Sequence, residues 1–173
     1  YVSIDNDALY ANREQDTWIG DDNFTQGFSY KENINAAYVE GNARFGQLSV
    51  QAGLRLEHTR YKGRQTSASC DSSFSAHSID LFPTVLMEYP LGKGKVSLFY
   101  GKRINRPNYG DLNPSAYIFD NYTYERGNTL LKPEKTDNIE VSYAFKDLFK
   151  AGFLFSYTSK AIVKSYIVEE NKR

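Results

Sequence analysis

A long run of alternating apolar and polar side chains lies near the middle of the chain, at residues 47–59. Apolar side chains occupy every second position: Leu48, Val50, Ala52, Leu54 and Leu56. The positions between them are mostly polar: Gln47, Ser49, Gln51, Arg55, Glu57 and Thr59. A period of two is typical of a β-strand with one apolar and one wet face. The run predicts a strand longer than those of ordinary globular sheets, and long enough to cross a bilayer when tilted.

Further runs with the same period predict a sheet of antiparallel strands. They lie at residues 37–44, 84–89, 96–101, 139–145 and 151–158. The first of these is expected to pair with the run at 47–59, and the last two are expected to form a hairpin. The predicted fold class is therefore all-β, an antiparallel up-and-down meander of long strands.

The connections between these runs fall into a short class and a long class. Short turns are predicted at residues 44–47, 90–95 and 146–149. Long connections are predicted at residues 61–78, at residues 105–135 and after Lys160. In an up-and-down sheet, alternate connections lie at the same end, so the short turns would share one rim and the long loops the other. This sorting is typical of transmembrane β-barrels of the outer membrane.

Composition and charge narrow the class of protein. The 173 residues carry 21 basic and 21 acidic side chains, and this balance argues against a nucleic-acid partner. Mean hydropathy is −0.58, and no apolar run reaches the roughly 18 residues that a transmembrane helix needs. Low hydropathy still fits a transmembrane strand, because only every second residue of such a strand faces lipid.

The sequence contains no recognisable catalytic or metal-binding motif. No serine lies in a nucleophile motif, His58 falls on the apolar side of its strand, and His77 falls at the end of a predicted loop. Cys70 is the single cysteine, so no internal disulfide can form. The acidic clusters at residues 5–7 and 21–23 lack the spacing of a Ca²⁺ loop. We therefore predict no enzyme activity, no catalytic residue, no metal site and no cofactor.

Several charged side chains share one parity of the predicted strands. A charge that faces lipid near the midplane costs a few kcal/mol, so these side chains are expected to face the lumen of a barrel. We interpret them as a solvated or ion-paired lining rather than as a substrate site. The predicted lumen-facing residues are Arg55, Glu57, Glu88, Arg103 and Glu140.

The long connection at residues 105–135 is rich in aromatic and charged side chains. Exposed aromatic side chains suit ligand recognition, because they bury a large area at low entropic cost. The alternative is a small loop core in which the aromatic rings pack on one another. The candidate ligand-binding residues are Tyr109, Asp111, Tyr117, Phe119, Asp120, Tyr122, Tyr124 and Arg126.

Short motifs follow one another through residues 103–143. They are Arg106-Pro107, Asp111-Leu112-Asn113-Pro114, Gly127-Asn128, Leu131-Lys132-Pro133-Glu134 and Glu140. This order resembles the late-barrel segment of TonB-dependent outer-membrane receptors, especially the Bacteroidetes-type outer-membrane β-barrel family. Thr129 departs from the pattern, because the family usually has proline there. Residues 36–63 are similar to the hairpin that precedes this segment in the family.

The resemblance implies a plugged barrel of about 22 strands. Residues 1–173 would then be part of one β-barrel domain, a fragment of the barrel from which the plug domain is absent. The implied function is import of a nutrient across the bacterial cell outer membrane by binding and gating. The implied partners are outer-membrane lipid, a small nutrient ligand (an iron chelate, a vitamin or an oligosaccharide) and the TonB energy-coupling complex, which would act through the plug.

Two other interpretations stay open at this point. A soluble or surface β-sheet binding module would bury its apolar face against a second sheet. A small self-contained barrel of about eight strands would be a structural outer-membrane protein. The motifs at residues 103–143 also have two interpretations, a folded loop that fixes strand register or a site of direct ligand contact.

Overall fold

The computed structural model describes residues 1–9, 11–14, 16–20, 25–67, 70–120, 122–146 and 148–168. In chain order, its elements are β1 (Val2–Ala8), β2 (Ala11–Glu14), β3 (Thr17–Gly20), β4 (Gln26–Phe45), β5 (Leu48–Ser67), β6 (Cys70–Leu91), β7 (Gly94–Asn105), α1 (Tyr109–Leu112), β8 (Tyr117–Ile118), β9 (Tyr124–Glu125), β10 (Glu134–Phe145) and β11 (Phe149–Ser159).

One sheet of seven strands contains most of the described chain, in the order β1-β4-β5-β6-β7-β10-β11. Every neighbouring pair in it is antiparallel. Two small hairpins, β2-β3 and β8-β9, are inserted in the connections between its strands. The predicted all-β antiparallel meander is therefore confirmed. Over the described ranges, no helix is both long enough and apolar enough to cross a membrane.

Three tight turns lie at the same end of this sheet. Gly46 begins the turn between β4 and β5 with a φ of 62°, and Gly92 begins the turn between β6 and β7 with a φ of 60°. Lys146 follows β10 with a φ of 47° in the turn to β11. Glycine adopts a positive φ without steric cost, and tight hairpins need that conformation. All three predicted short turns are therefore present.

The two faces of the sheet differ in chemistry. Residues directly opposite each other in an antiparallel pair share a face, so one row can be followed across six strands: Ala43, Val50, Met87, Leu98, Val141 and Phe153. We call this apolar side the outer face, and the opposite side the inner face. Phe153 is 70% exposed and Leu54 is 42% exposed. A soluble sheet buries its apolar side, so this exposure favours contact with lipid.

Strands β4, β5 and β6 continue well beyond the apolar rows. They have 20, 20 and 22 residues, whereas β7, β10 and β11 have 12, 12 and 11. The long connection predicted at residues 61–78 is wrong, because β5 runs to Ser67 and β6 begins at Cys70. Beyond the apolar rows both faces can be polar, so the hydropathy period disappears although the backbone ladder continues. The other long connection, between β7 and β10, is present as predicted.

A small aromatic core holds these extensions together on the inner face. Phe28 and Tyr30 of β4 are 1% and 5% exposed, and Tyr61 and Phe74 pack against them. The Phe28 and Phe74 rings stack with centroids 6.3 Å apart. Phe74 also lies directly opposite Gly63 and covers it, where a Cβ would collide with the ring. An aromatic ring over a strand glycine restores packing that the glycine lacks.

Ala52→Arg tests which face of the sheet meets lipid. Ala52 lies on the outer face in the middle of the apolar rows, where we expect an arginine to cost about 2–4 kcal/mol because lipid cannot solvate its charge. Gln51→Arg is the matched control, because Gln51 faces inward and donates a 2.6 Å hydrogen bond to Glu40. We expect the control to change stability by less than about 0.5 kcal/mol. Urea unfolding in phospholipid vesicles measures both, and equal losses would contradict the assignment of the faces.

Candidate functional site

The loop between β7 and β10 begins with a single helical turn. Asn108 caps α1: its side chain accepts a hydrogen bond from the Asp111 backbone N–H, and the Asp111 carboxylate accepts one from the Asn108 N–H. This reciprocal arrangement satisfies two backbone donors at the start of the turn. Leu112, which is 2% exposed, packs into the aromatic core beside Phe28 and Tyr30. The loop is thereby attached to the inner face of the extensions.

Two sequence motifs of this loop are joined by backbone hydrogen bonds. The Gly127 N–H donates to the Asn113 carbonyl at 2.7 Å, and the Asn128 N–H donates to the Asp111 carbonyl at 2.6 Å. A Cβ on Gly127 would collide with the backbone of Asp111, so close approach requires glycine there. These motifs therefore hold the loop in shape, as the folded-loop interpretation expects.

Arg106 connects the same loop to the strands through charge. Its Nη2 donates to Glu57 Oε2 at 2.5 Å and to Thr59 Oγ1 at 3.0 Å. The Arg106 Nε lies 3.8 Å from Glu32 Oε1. A second arginine, Arg55, places its Nε 2.8 Å from Glu57 Oε1. The Glu57 side chain is 9% exposed and that of Arg106 is 20% exposed. A carboxylate buried to this degree is tolerated only with such partners.

A second ion pair lies beside the first. Asp80 is 8% exposed, and it contacts the Lys135 ammonium and accepts a 2.8 Å hydrogen bond from Ser78. Asp80 and Glu57 stand directly opposite each other across β5 and β6. Like charges in that position repel, so the cations around them are needed to keep both carboxylates on the inner face. These two ion pairs, together with Arg55 and Glu32, form a group of six charged side chains that we call the ion network: Glu32, Arg55, Glu57, Asp80, Arg106 and Lys135.

A cavity of about 210 Å³ lies between the ion network, the aromatic core and the loop. Its apolar wall is formed by Tyr30, Tyr61, Leu112 and Leu131. Burial, and then the nearby carboxylate of Glu32, raises the pKa of the Tyr61 hydroxyl. That hydroxyl therefore stays protonated at neutral pH and can donate a hydrogen bond.

Two lysines give this cavity a positive edge. Lys132 and Lys160 are both exposed and both line it. Among the residues that the structure describes, neither forms an ion pair. Arg106 and Lys135 also line the cavity, but carboxylates already neutralise them. The cavity can accept a small solute that has both an apolar part and an anionic group.

The eight candidate ligand-binding residues lie apart from this cavity. All eight are in the described part of the chain, and none of them lines it. Tyr117 and Phe119 form an edge contact with ring centroids 5.0 Å apart, and Asp120 accepts a hydrogen bond from the Tyr122 N–H. The remaining candidate side chains are exposed at the loop surface: Tyr109, Tyr122, Tyr124 and Arg126. The Asp111 side chain accepts the hydrogen bond from the Asn108 N–H at the start of α1.

The five residues that we predicted to face the lumen all lie on the inner face. Arg55 and Glu57 belong to the ion network. Glu88 contacts Lys95 at 2.7 Å near the short turns, and Glu140 contacts Lys150 at 3.4 Å. Arg103 stands opposite Thr136. Arg55 and Glu57 are the two that the structure brings to the cavity region.

Sequence reasoning missed other members of the site. Asp80 lies between two outward-facing apolar residues, Ile79 and Leu81, so its parity marked it as inward-facing. Glu32 lies before the predicted start of its strand, where hydropathy has no period. Arg106 appeared in a motif, but its charged partners come from distant strands. No metal-binding group of three or more His, Cys, Asp or Glu side chains occurs in the described ranges; the cluster at 21–23 lies outside them.

One family model matches the chain from residue 1 to residue 173, and it describes the Outer membrane protein beta-barrel family. The chain belongs to this family. Comparisons with curated proteins and with solved structures gave no match. Membership of the family places the protein in the bacterial outer membrane. In that membrane we expect the exposed apolar outer face of the sheet to meet lipid. That location argues against the soluble-module interpretation.

Arg106→Met tests the attachment of the loop to this outer-membrane barrel. The variant leaves Glu57 buried without its closest cation, so we expect a loss of about 3 kcal/mol and faster proteolysis of residues 106–133. The double variant Arg106→Met, Glu57→Gln removes both charges and should recover part of the loss. Arg126→Met, at an exposed position of the same loop, serves as the control. A single variant as resistant to protease as this control would refute the attachment.

Gly127→Ala tests the backbone contact between the two loop motifs. The added methyl group collides with Asp111, and we expect a destabilisation of about 1–3 kcal/mol together with a mobile loop. Gly41→Ala is the control, because a Cβ on Gly41 of β4 would meet no atom within 4 Å. Hydrogen exchange at the Asn128 amide measures the effect. Unchanged protection in Gly127→Ala would count against this contact.

Proposed function

We propose that this outer-membrane barrel belongs to a TonB-dependent receptor, which binds a small nutrient at the cell surface and imports it. The observation that carries the proposal is the cavity between the inner face and the long loop, with its apolar wall and positive edge. The order of motifs in residues 103–143, which resembles that of such receptors, supports it further. The domain would surround a plug, and the TonB complex would act on that plug.

The ion network offers a route from binding to gating. An anionic group that enters the cavity meets Lys132 and Lys160 first and Arg106 behind them. Arg106 holds Glu32 at 3.8 Å, a longer contact than the 2.5 Å to Glu57. A ligand anion can replace Glu32 at Arg106 while Glu57 stays paired. Glu32, whose side chain is 15% exposed, would then lack a cation, and the loop would shift relative to β4 until water reaches the Glu32 carboxylate.

An uptake experiment tests import. Cells with and without the gene receive a labelled ferric chelate, a cobalamin or an oligosaccharide, each with and without a protonophore. We expect uptake of one probe to need both the gene and the proton-motive force. The double variant Lys132→Ser and Lys160→Ser should need an approximately tenfold higher probe concentration for half-maximal uptake. This is the effect expected from the loss of a charge-assisted contact. The matched control is the double variant Arg44→Ser and Lys93→Ser, which removes two exposed cations near the short turns.

The protonophore separates the proposal from a passive barrel. Uptake that needs the gene but persists with the protonophore would refute energy-coupled import and favour a pore. Uptake that is independent of the gene for all three probes would also refute the proposal for these nutrients and favour a structural role.

A further inference from the structure

The outer face of the extensions carries basic side chains directly beyond the apolar rows. Following the β4-β5-β6 register away from the short turns, the last apolar row holds Ala37, Leu56 and Leu81, and the row after it holds Asn35, His58 and Ile79. The next three rows, which we call the basic rows, hold Asn33, Arg60 and His77, then Lys31, Lys62 and Ser75, then Ser29, Arg64 and Ser73.

Two cations in the basic rows face each other. Lys31 and Lys62 are exposed and stand directly opposite across β4 and β5. Like charges in this position destabilise a sheet. In the described ranges neither lysine has a carboxylate within ion-pair distance, whereas Arg64 is paired with Asp71 at 2.5 Å. An external anion between the two lysines would remove the repulsion.

Along β1, β4, β5 and β6, the acidic side chains of the outer face lie in the outermost basic row or beyond it. Asp5 of β1 stands opposite Ser29 in the outermost basic row, while Asp7 and Asp71 lie one row beyond it. On β4, β5 and β6 the outer face therefore changes in order along the strands, from apolar to basic to acidic, whereas on β7 and β10 it carries the ion pair of Lys102 and Asp137. A membrane surface imposes this kind of order, because the apolar interior and the charged headgroups follow each other at fixed depths.

The basic rows also form a shallow groove of about 410 Å³, lined by Ser29, Lys31, Lys62, Arg64, Ser73 and Ser75. Ammonium, guanidinium and hydroxyl groups are the donors that phosphate oxygens accept from. Arg60 and Lys62 lie about 7 and 13 Å along the strand from the row of His58. With a strand tilt of about 45°, these distances correspond to heights of about 5 and 9 Å, and the headgroup region extends about 5–8 Å beyond the hydrocarbon. Arg60 lies at that level, and the long side chain of Lys62 can reach back to it.

The basic rows lie at the end of the strands opposite the short turns, and the short turns of outer-membrane barrels are periplasmic. We propose that the basic rows bind the phosphate groups of lipids in the outer leaflet of the outer membrane. The partner is an anionic lipid whose acyl chains lie against the outer face near Leu56 and Leu81. Its phosphate sits between Lys31 and Lys62 and relieves their repulsion. This inference rests on the location of the protein in the outer membrane, and it is independent of nutrient import.

Titration of the detergent-solubilised protein with bis-phosphorylated lipid A, followed by native mass spectrometry, tests the proposal. For the wild type we expect a bound lipid that survives gentle collisional activation. The double variant Lys31→Ser and Lys62→Ser should bind lipid A about thirtyfold more weakly, because it lacks two basic residues that each contribute to binding near an anionic surface. Lys31→Arg, Lys62→Arg should retain binding. Arg44→Ser, Lys93→Ser removes the same charge near the short turns and should leave binding unchanged.

Three results would overturn the proposal. One is equal binding of lipid A by the wild type and the Lys31→Ser, Lys62→Ser variant. The second is equal binding of dephosphorylated lipid A, which would show that acyl contacts suffice. The third is that inorganic phosphate competes at the same concentration as lipid A, which would indicate a site for free anions. Resistance of the unheated barrel to SDS confirms that each variant is folded before it is titrated.

Discussion

Backbone hydrogen bonding in lipid is the constraint on which the rest of this structure depends. No water reaches the hydrocarbon region, so each strand must satisfy its donors and acceptors through its neighbours. Antiparallel pairing with tight turns at Gly46 and Gly92 does this, and it fixes the parity of every side chain. Once the apolar side chains of a strand face lipid, the side chains between them, which include most of the charged ones, have to face inward. The inner face is therefore where charges meet, and where a loop can be held by them.

The ion network shows how inward parity produces a site. Register places Glu57 opposite Asp80, an arrangement that would be unfavourable if each strand pair stood alone. Arg106 enters from the long loop and Lys135 from the start of β10, so the repulsion is relieved by residues distant in sequence. The same charges attach the loop, and the attached loop closes the cavity. Strand register, loop position and cavity are thus consequences of one another.

Much of the fold, but little of the site, was accessible from the sequence. Alternation predicted the strands inside the apolar rows, and glycine marked two of the tight turns. Alternation failed to predict the strands at residues 61–78, because a strand outside lipid needs no hydropathy period. The packing of Phe74 over Gly63 in this region also leaves no periodic signal in the sequence. The cavity was missed for a related reason. The ion network beside it comes from four strands and a loop, and only Arg55 and Glu57 of that network lay within the run of clear alternation.

The edges of the sheet carry the argument one step further. β1 pairs with Gln26 to Glu32 of β4, so in the described residues the rest of β4, from Asn33 to Phe45, has a strand neighbour on one side only. β11 likewise pairs with β10 alone. Within lipid, unpaired edges of this length are not tolerated, because each unsatisfied backbone group costs several kcal/mol. In a closed barrel, both of these edges of the seven-stranded sheet must therefore be paired. Closure would turn the inner face into the wall of a lumen, with the cavity and its loop at the end opposite the short turns.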